Sequence, residues 1–287
     1  MNQKRLLSLY GLKWDPFSPD LPAEAIIKTT RFEQFAWRVE TLTLEGGFAL
    51  ISGDSGLGKS VSLRALSSHL SKIREITIGE FSCPQSGIAD FYRELGYLFG
   101  IELRVSNRYG GYRALREKWK SHIESTLLRP VLLIDEAQEM QSSVLSELRL
   151  LASAQFDSQL LLTVVLCGDG RLNNQLRTPE LIPLGTRIRT RLALEPYTKQ
   201  DLLSMLREGI DRAGNLKLMS EALQSTIAEH SAGNPRIMMA IAGEILALAM
   251  QKELPVLDES LYFSIYGGPS RGAGRGASKK ALSEARQ

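Results

Sequence analysis

The chain has little of what disulfide, metal and membrane proteins are built from. It holds two cysteines, Cys83 and Cys167, far apart and without metal-ligand spacing. Cys167 ends an apolar run and reads as a buried thiol. So sparse a supply excludes a disulfide scaffold and fits a reducing compartment. Three histidines, His69, His122 and His230, form no cluster, which argues against a zinc site. No stretch approaches the ~20 apolar residues a membrane helix requires; the longest runs lie around Leu160–Cys167 and Ile245–Met250. Lys4 and Arg5 precede Leu6-Leu7, but Lys13, Trp14 and Asp15 cut that run short. No signal peptide is read, and a cytoplasmic protein with no membrane partner is expected. An overall basic field is missing too. Formal net charge is only +3, while residues 267–287 alone carry Arg271, Arg275, Lys279, Lys280 and Arg286 against Glu284. The body is close to neutral, so any nucleic-acid affinity has to come from local patches.

What is present is a phosphate loop. Gly53-Asp54-Ser55-Gly56-Leu57-Gly58-Lys59-Ser60 matches G-x-x-x-x-G-K-[ST] in full. The apolar run Phe48–Ser52 before it reads as a buried strand, and Val61–Leu66 after it as the start of a helix. Strand, glycine loop and helix N-terminus together make an anion site, because loop amides and the helix dipole face the phosphates. Lys59 is expected to reach the β- and γ-phosphates of ATP, and Ser60 to ligate Mg²⁺. A second element lies at Pro130–Glu136, an apolar strand ending in two acids. Inner strands of parallel sheets read as continuous apolar runs. An Asp at the carboxyl end of such a strand is where a Walker B residue holds the Mg²⁺ shell, which assigns Asp135 to the metal. Glu136 is then placed to orient or deprotonate the attacking water.

With 287 residues, 43% of them apolar, the chain is long enough for one large α/β domain and a small second one. Residues 1–30 read as an N-terminal arm, with turn-rich Gly11–Asp20 laid on the surface. Thr30 is a plausible N-cap for a helix carrying Phe32, Phe35, Ala36 and Val39 on one face. Further strands are expected at Ile76–Phe81 and Leu160–Cys167, with a short edge strand at Arg189–Leu194. Helices are expected at Ser86–Phe99, Tyr112–Leu127 and Ser142–Ala154. Strands alternating with helices over 31–198 point to an open parallel sheet flanked by helices. From Lys199 strands disappear, and helices near Lys199–Ala213, Ser220–Ser231 and Pro235–Leu248 make a small C-terminal helical lid over 199–266. Residues 267–287 lack a core-forming pattern and read as a disordered basic tail.

Arg187-Ile188-Arg189-Thr190-Arg191-Leu192 follows the third buried strand, and Gly233-Asn234-Pro235-Arg236 opens the last lid helix. With the two Walker elements, this order over roughly Arg31–Leu248 resembles the AAA+ ATPases, a P-loop NTPase family. The resemblance implies that Arg236 is a sensor 2 arginine meeting the phosphates in cis. It implies that Arg187, or next Arg191, is a finger reaching the ATP of a neighbouring subunit in a ring or helical homo-oligomer. For the polar sensor 1 residue, Thr163, Cys167 and Asp169 all stand as candidates. Tyr10-Gly11-Leu12 with Asp15-Pro16-Phe17 is similar to the opening of the ExeA-type and TnsC/TniB/MuB-like branch. That branch holds secretion ATPases and ATPases that choose targets for transposases. The sequence shows no membrane helix or peptidoglycan-binding module after the lid, so the expectation leans to the transposition side, with a transposase and a target-selector protein as partners. A secretion-type ATPase working on protein partners, or an ATP-switched scaffold with little hydrolysis, are the alternatives.

For duplex DNA the candidate lies at 104–120. Arg104, Arg108, Arg113, Arg116, Lys118 and Lys120 stand against Glu117, with Asn107, Tyr109 and Tyr112 interleaved and Gly110-Gly111 open to close approach. Cations contact phosphates and aromatics add stacking, so Arg104, Asn107, Arg108, Tyr109 and Arg113 are the candidate contacts, largely independent of base sequence. The same run also fits a solvated helix face beside a flexible turn.

Overall fold

Burial alternates along the central strands in a way that builds two cores from one sheet. In β1 (Gly47–Gly53), Phe48 and Leu50 face one core while Ala49 and Ile51 face the other. β3 (Arg129–Ile134) and β6 (Thr163–Gly168) repeat this with Leu132 and Ile134 against Val131 and Leu133, and with Val164 and Leu166 against Val165 and Cys167. Successive strand side chains point to opposite faces, so a run buried throughout needs helices on both sides. A computed structural model describes residues 3–102, 108–155 and 158–267 and supplies those helices. On one face lie α2 (Thr30–Glu45) and α3 (Lys59–Leu70); on the other lie α4 (Ile88–Leu98), α5 (Arg108–Ser121) and α6 (Ser142–Ala152). With β2 (Ile76–Phe81) and β7 (Ile188–Leu194), the sheet is five-stranded in the order β2-β3-β6-β1-β7. Every neighbouring pair in it is parallel. The chain leaves β1 for the far edge β2 and later returns to both sides of β1. Open α/β sheets bind ligands at such a switch, beyond the carboxyl ends of the strands.

Several boundaries differ from expectation. Thr29, not Thr30, caps α2, its hydroxyl accepting from the Phe32 amide at 3.2 Å. The third buried strand begins at Thr163, because Gln159–Leu160 (β5) instead pairs antiparallel with Ser153–Ala154 (β4). Gly110-Gly111 is helical: α5 runs through both, with Gly111 buried, so packing overrides glycine's poor helix propensity. The expected helix end at Leu127 is a π turn, His122–Thr126, closed by Leu127 in the left-handed region. Two short helices, α7 (Gly170–Gln175) and α8 (Ile182–Gly185), bridge β6 to β7.

The lid has its own core, built from α9 (Lys199–Ala213), α10 (Glu221–His230), α11 (Pro235–Gln251) and a fourth helix, α12 (Glu259–Tyr266). The N-terminal segment joins it. α1 (Gln3–Tyr10) and the turn after it place Leu6, Tyr10, Leu12 and Phe17 inside the same cluster as Leu206, Ile241 and Leu261. Each such burial contributes roughly 1.5–3 kcal/mol. The Lys13 amide donates to Ala213 O (2.9 Å), and Asn215 Nδ2 donates to Tyr10 O (2.8 Å). The segment read as a surface arm is thus part of the lid's interior. The tail expected to be disordered lies, from 268 onward, outside the described residues.

Candidate nucleotide site and basic helix

The loop Gly53–Ser60 sits at the carboxyl end of β1 and runs into α3, whose N-cap is Gly58, a residue with no side-chain cap to offer. The first amides of a helix are orphan donors, so this helix start suits an anion. Gly58 has φ +96°, a left-handed turn that aims the chain into the helix. Lys59 is 7% exposed, and its Nζ donates to the Asp54 carbonyl at 3.1 Å. Leu57 is buried beneath the loop, while Asp54, Ser55 and Ser60 are exposed.

Asp135 follows β3, two strands from β1, with the end of β6 between them. Neighbouring strands are about 4.8 Å apart, so Asp135 and the loop line one edge of the sheet. Cys167, at the end of β6, registers the convergence. Burial pushes its thiol well above the usual range, the charge of Asp135 and a hydrogen bond with it push the same way, and the Lys59 charge opposes them. Glu136 is exposed and left-handed (φ 50°, ψ 38°), and its amide donates to Asp135 Oδ1 at 2.9 Å. Hydroxyl and carboxylate oxygens are the donor set Mg²⁺ takes, so Ser60 and Asp135 fit that ion, and the loop with Lys59 fits a nucleoside triphosphate.

The lid closes on this loop. Asn234 Oδ1 caps α11 by accepting from the amides of Arg236 (3.0 Å) and Ile237 (3.4 Å), while its Nδ2 donates to Ser55 O at 3.0 Å. Arg236 donates from its amide to Gly56 O (3.2 Å) and from Nη1 to Ser55 Oγ (3.0 Å). A Cβ on Gly56 would stand 2.4 Å from Asn234 Oδ1, so the second loop glycine admits the lid. Sequence reasoning singled out Arg236 and passed over Asn234, whose only signal is its place before Pro235.

Arg187 and Arg191 lie elsewhere. Arg187 precedes β7, at the amino end of the sheet, and donates to the Pro183 carbonyl. Arg191 lies on the exposed face of β7, with Nη2 donating to Gly185 O at 3.1 Å. The rise of a strand separates Arg187 from its own phosphate loop by about 20 Å. Thr163 is at the same far end, opening β6, and leaves the sensor 1 candidates. Asp169 accepts from the Arg171 amide at 2.8 Å as N-cap of α7. Cys167 lies at the carboxyl end of β6, the strand between β3 and β1.

Of the DNA candidates, Arg104 and Asn107 lie outside the described residues. Arg108 is engaged within the fold. Its guanidinium holds the 4% exposed Glu147 of α6, with Nε to Oε1 at 3.0 Å and Nη2 on Oε2, and Tyr92 Oη donates to Oε1 at 2.6 Å. Burial by itself would raise the Glu147 carboxyl, but the hydrogen bonds from Arg108 and Tyr92 outweigh it and hold the carboxyl below the usual range. A guanidinium fixed on a buried carboxylate ties two helices together, and Arg108 does so while its side chain stays 61% exposed. Glu147 was missed; its signal is an acid on the apolar stripe of Val144, Leu148 and Leu151. Arg116 donates to the carbonyls of Leu150, Leu151 and Ser153 and lies over the Tyr112 ring at 5.0 Å. Tyr109, Arg113 and Lys120 remain at the surface, lining a cleft of about 280 Å³ with Tyr112, Gln155 and Gln159.

A parallel sheet with Walker elements at its carboxyl edge and a helical lid on its phosphate loop has the fold of the P-loop AAA+ proteins. Residues 43–176 match the family described as AAA domain. It is 30% identical over 249 residues to General secretion pathway protein A of Aeromonas hydrophila, over 85% of this chain but 44% of that protein, so it spans less than half of that relative. It is 24% identical over 226 residues to the ATP-dependent target DNA activator B of Escherichia phage Mu, over 72% of this chain and 68% of that one. Both lie in the branch its opening residues resemble. Among solved structures, Cdc6p of Pyrobaculum aerophilum superposes with a TM-score of 0.67 at 17% identity, over 84% of this chain and 67% of that one, a likeness of fold. Among the described residues no helix is long and apolar enough to cross a membrane.

Proposed function

We propose that the protein is a cytoplasmic ATP-hydrolysing switch that assembles with its own copies on duplex DNA and, in its ATP state, recruits or activates a transposase there. The observation that carries assembly is the position of Arg187. At the far end of the sheet it is out of reach of its own phosphate loop, which supports a role toward a neighbouring subunit. In this reading Lys59 and the loop amides bind the phosphates, and Ser60 and Asp135 hold Mg²⁺, which neutralises charge developing on the transferred phosphoryl group. Glu136 orients and deprotonates water, Arg236 meets the phosphates in cis, and Arg187 stabilises the transition state in trans, with Arg191 beside it. The likeness to a target DNA activator supports DNA as the substrate of assembly, and the cleft at Tyr109, Arg113 and Lys120 is the surface that suits phosphates and stacking.

The 30% identity to a secretion-pathway protein favours a second reading, an ATPase driving protein partners without DNA. Electron microscopy with ATP, with and without duplex DNA, separates the two. Rings or filaments that form or lengthen on the duplex support the first. ATP assemblies indifferent to DNA, together with an unchanged hydrolysis rate, would leave the second.

A further inference from the structure

Glu136 faces solvent at a left-handed bend, a place where a carboxylate has many orientations unless something fixes it. Gln138 fixes it. This side chain is 6% exposed, on the one-turn 3₁₀ helix Ala137–Glu139, and its Nε2 donates to Glu136 Oε2. Its Oε1 accepts the Asp169 amide at 3.2 Å, just past the end of β6. Its own carbonyl accepts from Gln175 Nε2 of α7 at 3.3 Å. A side-chain amide offers a donor at one atom and an acceptor at the other, which neither an ionised carboxylate nor an apolar residue does. β6 is shaped to receive it: a Cβ on Gly168 would stand 2.6 Å from Gln138 Oε1.

We propose that Gln138 is a positioning residue that aims the Glu136 carboxylate and ties that aim to the end of β6. The proposal rests on reading Glu136 as the group that activates water. Strand β3, the turn after it, the end of β6 and α7 then form one frame, and a shift at the end of β6 moves the carboxylate.

Steady-state hydrolysis by the full chain tests this with Gln138→Met, which keeps the length and loses both contacts. A misaimed base costs about 10²-fold in kcat, while KM and affinity for a slowly hydrolysed ATP analogue stay within about twofold, since no ground-state contact is lost. In a Glu136→Gln background the same change should cost nothing more, because no carboxylate is left to aim. Gln138→Glu keeps the acceptor and removes the donor, and decides by the same split should Gln138→Met not fold. Wild-type kcat in these variants beside an inactive Glu136→Gln would overturn the positioning role and leave the base assignment standing. So would a further full loss in the Glu136→Gln background. Hydrolysis at the wild-type rate by Glu136→Gln itself would remove both.

Discussion

Lys59 and the cations of α5 are used in opposite ways. Lys59 is buried, and its Nζ donates to a neutral carbonyl, so its charge has no carboxylate against it there. On α5 the cations are engaged: Arg108 with Glu147, Arg113 with Glu117, Arg116 and Lys118 on backbone carbonyls, Lys120 with Glu124. A buried cation held only by a neutral carbonyl is costly until an anion arrives, and that marks a binding site. A run of basic residues marks only a charge-rich helix. The pairs also differ among themselves. Those of Arg113 and Lys120 are solvent-exposed and worth little, so phosphates can replace the carboxylates. That of Arg108 reaches a carboxylate the fold has buried.

The comparison breaks most sharply at Lys59. Lys59→Ala should abolish nucleotide binding in a fluorescence titration, and retained micromolar affinity would show the charge to be dispensable. Next comes the trans site. Arg187→Ala should bind ATP yet lose ~10³-fold in hydrolysis rate. A mixture with Lys59→Ala should recover activity, since each subunit supplies what the other lacks; no recovery at concentrations where oligomers form removes the trans role. The two kinds of α5 cation give a smaller contrast. Arg108→Ala leaves Glu147 short of a partner, at a cost of about 1–3 kcal/mol, read as a lower unfolding midpoint. Arg113→Ala with Lys120→Ala should leave that midpoint unchanged and flatten the salt dependence of DNA binding. The reverse pattern would exchange their roles. The smallest effect is on acid stability. Because the folded carboxyl of Glu147 is depressed, its stabilisation is present above the unfolded value of about 4.3 and is lost as pH falls through the lower folded one. Glu147→Gln should therefore unfold at a midpoint less dependent on pH below about 4 than wild type does; equal slopes would mean the pair is not formed.

Much of the nucleotide site was legible because its requirements are local. The loop must run from a strand into a helix, and an Asp must follow an apolar strand, so Gly53–Ser60 and Asp135 stand out on spacing alone. Inner strands were legible for the same reason, their burial on both faces leaving continuous apolar runs. What the sequence hid depends on contacts far along the chain. Glu147 meets Arg108 from another helix, Asn234 meets Ser55 across the lid, and Leu6 and Phe17 complete a core made mostly of residues beyond 200. The α12 helix was passed over because it is short and follows the turn after α11, and Gly110-Gly111 misled because packing holds them helical.

The central claim is an ATP state that grips DNA without reading it, and duplex binding across a salt series tests it most directly, with a slowly hydrolysed ATP analogue and with ADP. The account predicts binding with the analogue to unrelated sequences alike, falling steeply with salt, with log K declining by about 0.9 per phosphate neutralised for each unit of log salt, and far weaker binding with ADP. No binding with either nucleotide at low salt would contradict it and put the protein-partner reading first.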